Sequence, residues 1–100
     1  MISLIRQQIR VLRAIGLQPQ SSATLAANPP EGMDGTDVYA AIAVLAAARR
    51  IIYHIGEWHL RGTVGRERTP TMLAAIEATC RIAELAEDVH EKIQQNGRQP

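Results

Sequence analysis

Apolar residues recur over the first fifteen positions at alternating spacings of three and four: Ile2, Ile5, Ile9 and Leu12, widened by Leu4, Val11 and Ile15. That period marks an amphipathic helix, predicted over residues 2–15 with Arg6, Gln7, Arg10 and Arg13 largely outside the stripe. Gly16 reads as its stop, because glycine takes the left-handed conformation without steric cost, and Pro19 confirms the break. A short second helix is predicted over 23–27, capped by Ser21 or Ser22 and ended by Asn28-Pro29-Pro30. After the loop 31–35, Thr36 reads as an N-cap and Asp37 suits the positive end of a helix dipole. The third helix spans 37–50, with Val38, Ala41, Ile42, Leu45 and Ala48 as its buried stripe and Arg49 and Arg50 at its C-terminal end.

Ile51-Ile52-Tyr53-His54-Ile55 is β-branched and aromatic, hence a strand. Two continuations fit. Either Gly56-Glu57 is a tight hairpin turn and 58–61 returns, or residues 51–60 form one long strand bulged at Gly56. In the second, Gly62 to Arg68 is a flexible tip and 69–73 the returning strand. The glycines at 62 and 65, with charges between them, favour the second. A last helix begins between Pro70 and Ala74 and runs to about Gln95. Ala75, Ala78, Ile82, Leu85, Val89 and Lys92/Ile93 recur at alternating three and four, the seam of a helix packed lengthwise on a partner. At 1.5 Å per residue it reaches roughly 30–38 Å, longer than a body of this size needs. The chain divides into a body (1–70), a dimerisation helix (71–96) and a disordered tail (97–100).

Composition sharpens this picture. Of the 100 residues 46% are apolar, but many are alanine and there is no Phe, so the core is thin and an oligomer is expected. Residues 1–68 hold eight arginines against five acids, while 69–100 hold three basic residues against five acids. The split suggests a basic working face and a separate acidic element. Glu77, Glu84, Glu87, Asp88 and Glu91 read as the wet side of the last helix, and Arg6, Arg10 and Arg13 as a solvated flank. The lone Cys80 fits a reducing cytosol and buried packing. With no leader pattern and no long apolar run, the expected location is cytoplasmic.

No enzymatic constellation is visible: no phosphate-cradling glycine loop, nucleophile elbow or carboxylate pair. His54 and His59, five apart, would lie on opposite faces of one regular strand, so neither metal nor cofactor is expected. Trp58 reads as core packing with its N–H bonded.

The order helix, short helix, helix, strand, basic turn, strand, long helix resembles the winged helix-turn-helix regulators of bacteria and phages, of the MarR, PadR and penicillinase-repressor kinds. The residues that carry it are Ser22-Ala23-Thr24-Leu25-Ala26-Ala27 as second helix and Asp37 to Leu45 as recognition helix. Arg49 to Tyr53 then enters the first wing strand. Ile55 to Trp58 and Gly65 to Pro70 are similar to a wing in small phage and proteobacterial members. The resemblance implies a mainly α fold with a small β-hairpin, and a homodimeric repressor of duplex DNA. Before Arg49 the exposed face of the third helix has none of the side chains that read base edges bidentately. The expected contacts are therefore Thr36 and Tyr39 to phosphates, Ala40 to thymine methyls, Arg49 to phosphate, and Arg61, Arg66 and Arg68 from the wing to a minor groove or to phosphates. The rival expectation is a protein-interaction module, such as a phage-encoded inhibitor or adaptor, because the third helix is smooth and nearly uncharged.

Overall fold

The computed structural model describes residues 2–97. The 98–100 part of the expected disordered tail lies outside the described residues, and Gly97 belongs to the last helix. The chain is mainly helical with a two-stranded antiparallel hairpin, in the order α1 (Leu4–Leu17), α2 (Ser22–Ala27), α3 (Gly35–Ala47), β1 (Ile51–His54), β2 (Glu57–Leu60) and α4 (Pro70–Gly97).

Helix starts follow side-chain caps. Ser3 accepts the Arg6 N–H, Ser21 accepts the Thr24 N–H, and Asp34 forms a reciprocal capping box with Asp37. The α3 cap is thus Asp34 rather than Thr36. An aspartate two residues upstream, with a second carboxylate at N3, satisfies two free N–H groups where a lone threonine satisfies one. Thr69 accepts the Met72 N–H and Pro70 occupies the first turn, so 69–73 opens α4 and is not a returning strand.

The core is the junction of α1, α2, α3 and β1. Val11, Ile15, Leu25, Val38, Ala41, Ile42, Leu45 and Ile51 are buried together, with Trp58 packed against them. The Trp58 indole N–H donates to Ser22 Oγ at 2.7 Å, tying the hairpin to the start of α2. Trp58 also exchanges two backbone bonds with Gln20, so the α1–α2 connection adds a one-residue third strand beside β2. Ala48, expected in the α3 stripe, is exposed.

Gly16 does not stop α1, which continues to Leu17. It is buried, and a β-carbon there would lie 3.0 Å from Ile76 Cγ2. Gly16 is where α4 crosses α1 most closely, which explains a glycine inside a helix despite its conformational penalty. Beyond that crossing α4 runs antiparallel to α1, in a chain 53 Å long in its greatest dimension.

Candidate functional site

Exposed residues of α3 form one smooth strip. Val38, Ala41, Ile42 and Leu45 point into the core, leaving Thr36, Tyr39, Ala40, Ala43, Val44 and Ala47 outward. The expected contacts Thr36, Tyr39 and Ala40 therefore share one open face at the N-terminal half of the helix.

The arginines lie elsewhere. The hairpin turns at Ile55-Gly56, with Ile51 opposite Leu60, Ile52 opposite His59, Tyr53 opposite Trp58 and His54 opposite Glu57. The preferred single long strand is thus corrected in favour of the tight hairpin. Its tip carries no arginine. Arg61, Arg66 and Arg68 follow β2, in a linker that returns to the body. Thr63, buried there, donates from Oγ1 to the Leu60 carbonyl at 2.7 Å, and Arg66 donates to the Gly62 carbonyl at 3.4 Å. Arg68 donates Nε to the Gly16 carbonyl at 3.1 Å and Nη2 to that of Ile15 at 3.5 Å, so it satisfies the C-terminal carbonyls of α1.

Arg61, by contrast, is brought beside the end of α3: its N–H donates to the Arg50 carbonyl at 3.0 Å. Arg49, Arg50 and Arg61 are exposed at this corner and make no salt bridge among the described residues. Tyr39 is ten positions from Arg49, about 15 Å along the helix axis. The expected DNA set thus divides into an exposed uncharged strip on α3 and a basic corner beyond its C-terminal end, with Arg66 and Arg68 apart from both.

Arg49 has a backbone feature of its own. The Arg50 N–H donates to the Leu45 carbonyl and the Arg49 N–H to that of Ala46, the pair of bonds that defines a Schellman termination. Its left-handed residue is Arg49, at φ 57°. Glycine is the usual occupant, and a side chain there costs about 1–2 kcal/mol. Ile55 is the second outlier, at φ 46°. It is β-branched, 86% exposed and at the very tip of the hairpin. The sequence reading missed it because left-handed turn positions are signalled by Asn, Asp or Gly, not by Ile.

Charges predicted to be solvated are paired. Arg6 meets Asp88 at 2.6 Å and Glu91 at 3.4 Å, Arg10 meets Glu84 at 3.0 Å, and Arg13 Nε meets Glu77 at 2.7 Å. Both expectations, a free basic flank on α1 and a wet acidic side on α4, are corrected: the two faces lie on each other. Hydrogen bonding to Glu77 raises the Arg13 pKa, and the same bond lowers that of Glu77. Bonding to Asp88 likewise raises that of Arg6. Arg10 also donates to the Glu31 carbonyl at 2.6 Å, which pins the long α2–α3 loop to α1. Cys80 is buried at this junction, and burial pushes its thiol pKa up, against the lowering effect of Arg13.

With its acidic face turned to α1, α4 leaves the opposite face open. Ala75, Ala78, Ile82, Leu85, Val89 and Ile93 are all exposed, Ile82 by 66% and Ile93 by 64%. Beside this stripe an apolar groove of about 540 Å³ runs between α1, α3 and α4, lined by Ile5, Ile9, Val44, Thr79, Ala83 and Ala86 among others.

The two histidines share a face. The hairpin places His54 and His59 on diagonal positions with ring centroids 5.8 Å apart, correcting the opposite-face expectation drawn from a single strand. Among the described residues no group of three or more His, Cys, Asp or Glu is placed to hold a metal. Among the described residues no helix is long and apolar enough to cross a membrane. The chain matches no protein-family model, no curated protein and no solved structure.

Proposed function

We propose that this chain is a non-catalytic, cytoplasmic winged helix-turn-helix regulator that binds duplex DNA as a homodimer and acts as a repressor. In this reading α2 and α3 are the helix-turn-helix, β1 and β2 the wing with Gln20 as its third strand, and α4 the dimerisation helix. The observation that carries it is Arg49. A Schellman termination favours glycine, yet this chain holds an exposed arginine there, at a conformational cost, next to Arg50 and Arg61. Strain of this kind persists where a side chain is needed at a site. The basic corner grips phosphates while the Thr36, Tyr39 and Ala40 end lies against the groove. Arg68, committed to α1, drops out of the contact set, and Arg50 enters it.

The test is titration of mixed-sequence duplex with the wild type and with Arg49→Gly. For about six phosphate contacts per dimer, log affinity falls against log salt with a slope near −5. Arg49→Gly is expected to leave folding stability unchanged or raised by up to about 1 kcal/mol, since the left-handed strain is relieved. It should nevertheless weaken DNA binding and make the slope shallower. Absence of duplex binding at low salt overturns the reading. A second reading, a protein-interaction module, is favoured by one observation: the exposed strip Ala40, Ala43, Val44 and Ala47 carries no charge. Unchanged duplex binding in Arg49→Gly, with loss of a purified partner in Val44→Glu, would establish it instead.

A further inference from the structure

We infer that α4 pairs antiparallel with α4 of a second copy, about a two-fold axis crossing near the middle of the exposed stripe. The inference rests on the homodimer of the proposed function and adds its geometry. Three observations carry it.

The first is a gradient of size. The stripe begins with Ala75 and Ala78 and ends with Val89 and Ile93, with Ile82 and Leu85 between. A parallel pair would stack alanine on alanine at one end and large β-branched side chains on each other at the other. Helices pack at a nearly constant separation of about 8–10 Å, so such a pair would gape at one end or crowd at the other. Reversing one helix sets small against large toward the ends, with Ala78 against the partner's Val89 and Ala75 against the Lys92–Ile93 end of its stripe, and places Ile82 against the partner's Leu85 in the middle. That is the interdigitation that fills an interface.

The second is charge. Arg81 makes no salt bridge among the described residues. It lies on the same flank of the stripe as Asp88, seven positions away, where a lengthwise repeat returns to the same position. Positions on one flank face each other only when the helices run in opposite directions. An antiparallel pair therefore brings Arg81 within one turn of the partner's Asp88, twice by symmetry. A parallel pair sets Arg81 beside the partner's Ala86, with no carboxylate opposite it, and turns the open side of Asp88, which is half exposed and bonded on its inner side by Arg6, to the partner's Ile93.

The third is continuity. Thr79 and Ala86, on the other flank, line the apolar groove that reaches Ile5 and Val44. The reversed helix delivers the partner's Ile93 to the Met72–Thr79 end of that flank, so seam and groove are covered as one surface.

Oxidative cross-linking tests the direction. Positions 78 and 89 are both exposed, so cysteines there leave the core intact, while the native Cys80 is buried. A mixture of the Ala78→Cys and Val89→Cys proteins is expected to form a cross-linked dimer under copper-phenanthroline. Val89→Cys alone is not, because its two copies would stand about 17 Å apart along the axis, beyond the roughly 4 Å a disulfide spans between β-carbons. Cross-linking of Val89→Cys with itself overturns the inference in favour of a parallel pair. A dimer by light scattering that cross-links in neither case overturns α4 as the seam. A monomer at every concentration overturns the homodimer of the proposed function itself.

Discussion

Two helices rest on α1, and they are held by different physics. α3 sits on it through Val11 and Ile15 against Val38, Ile42 and Leu45, all buried and all apolar. α4 meets it through two buried apolar side chains, Ile76 and Cys80, at the Gly16 crossing, and beyond them by a ladder of arginines against carboxylates. Apolar burial stabilises at about 25 cal/mol per Å² with little dependence on salt, whereas exposed ion pairs contribute about 0–1 kcal/mol each and are screened. The α1–α3 pair is thus a core, and the outer half of α4 is an attached arm. An arm with one ionic face toward its own body and one apolar face outward is suited to a second copy.

The largest expected effect sits in the core. Ile15→Ala removes a fully buried side chain where α1 meets α3, and truncations of this kind cost about 2–5 kcal/mol. Urea unfolding followed at Trp58 should show the midpoint fall for the whole body. A loss under about 1 kcal/mol would mean that the α1–α3 contact is no denser than the α4 contact, and the contrast would fail.

The same truncation on the arm should act locally. Ile76 is the apolar anchor of α4, packed on Gly16 at a more open site, so Ile76→Ala is expected at the low end, roughly 2 kcal/mol. Hydrogen exchange should quicken along α4 and stay slow in α3. Equal quickening in both would show that arm and core unfold as one unit.

Much of this was legible along the chain, and the failures have physical causes. Helix order, the α3 stripe through Leu45 and the apolar stripe along α4 follow from periodicity, because apolar residues at helical spacing fall on one face. The hairpin reads as one long strand because its turn is made by Ile55-Gly56. A β-branched residue in a left-handed position leaves no signal, while Gly62 and Gly65 downstream give a strong one. Gly16 reads as a stop because a glycine that admits a crossing helix looks, in sequence, like a glycine that ends one. The charge split was visible but its meaning was not: periodicity shows that Arg6, Arg10 and Arg13 share a flank, not that Glu77, Glu84 and Asp88 lie across from it. That pairing is a long-range property of the fold. The candidate basic surface shifts for a different reason: Arg68 bonds to carbonyls at the end of α1, while the hairpin carries Arg61 beside Arg49 and Arg50, a juxtaposition that no local pattern announces.

The smallest effect is also the most specific to the arm. Glu77 has its pKa lowered chiefly by its bond from Arg13. A carboxylate with a depressed folded-state pKa stabilises fully above its unfolded value, about 4.3, and that contribution is lost as pH falls through the lower folded value. The same bond raises the Arg13 pKa, so Arg13 stays charged and the pair weakens through Glu77. Between pH 6 and pH 3, hydrogen-exchange protection corrected for intrinsic rates should fall in α4 around Glu77 before it falls in α3. Raising ionic strength to about 1 M at pH 7, where the screening length drops to roughly 3 Å, should loosen the same segment without acid. Protection of α4 that is indifferent to both pH and salt would mean that apolar contact holds the whole arm, and the two attachments to α1 would then be one kind.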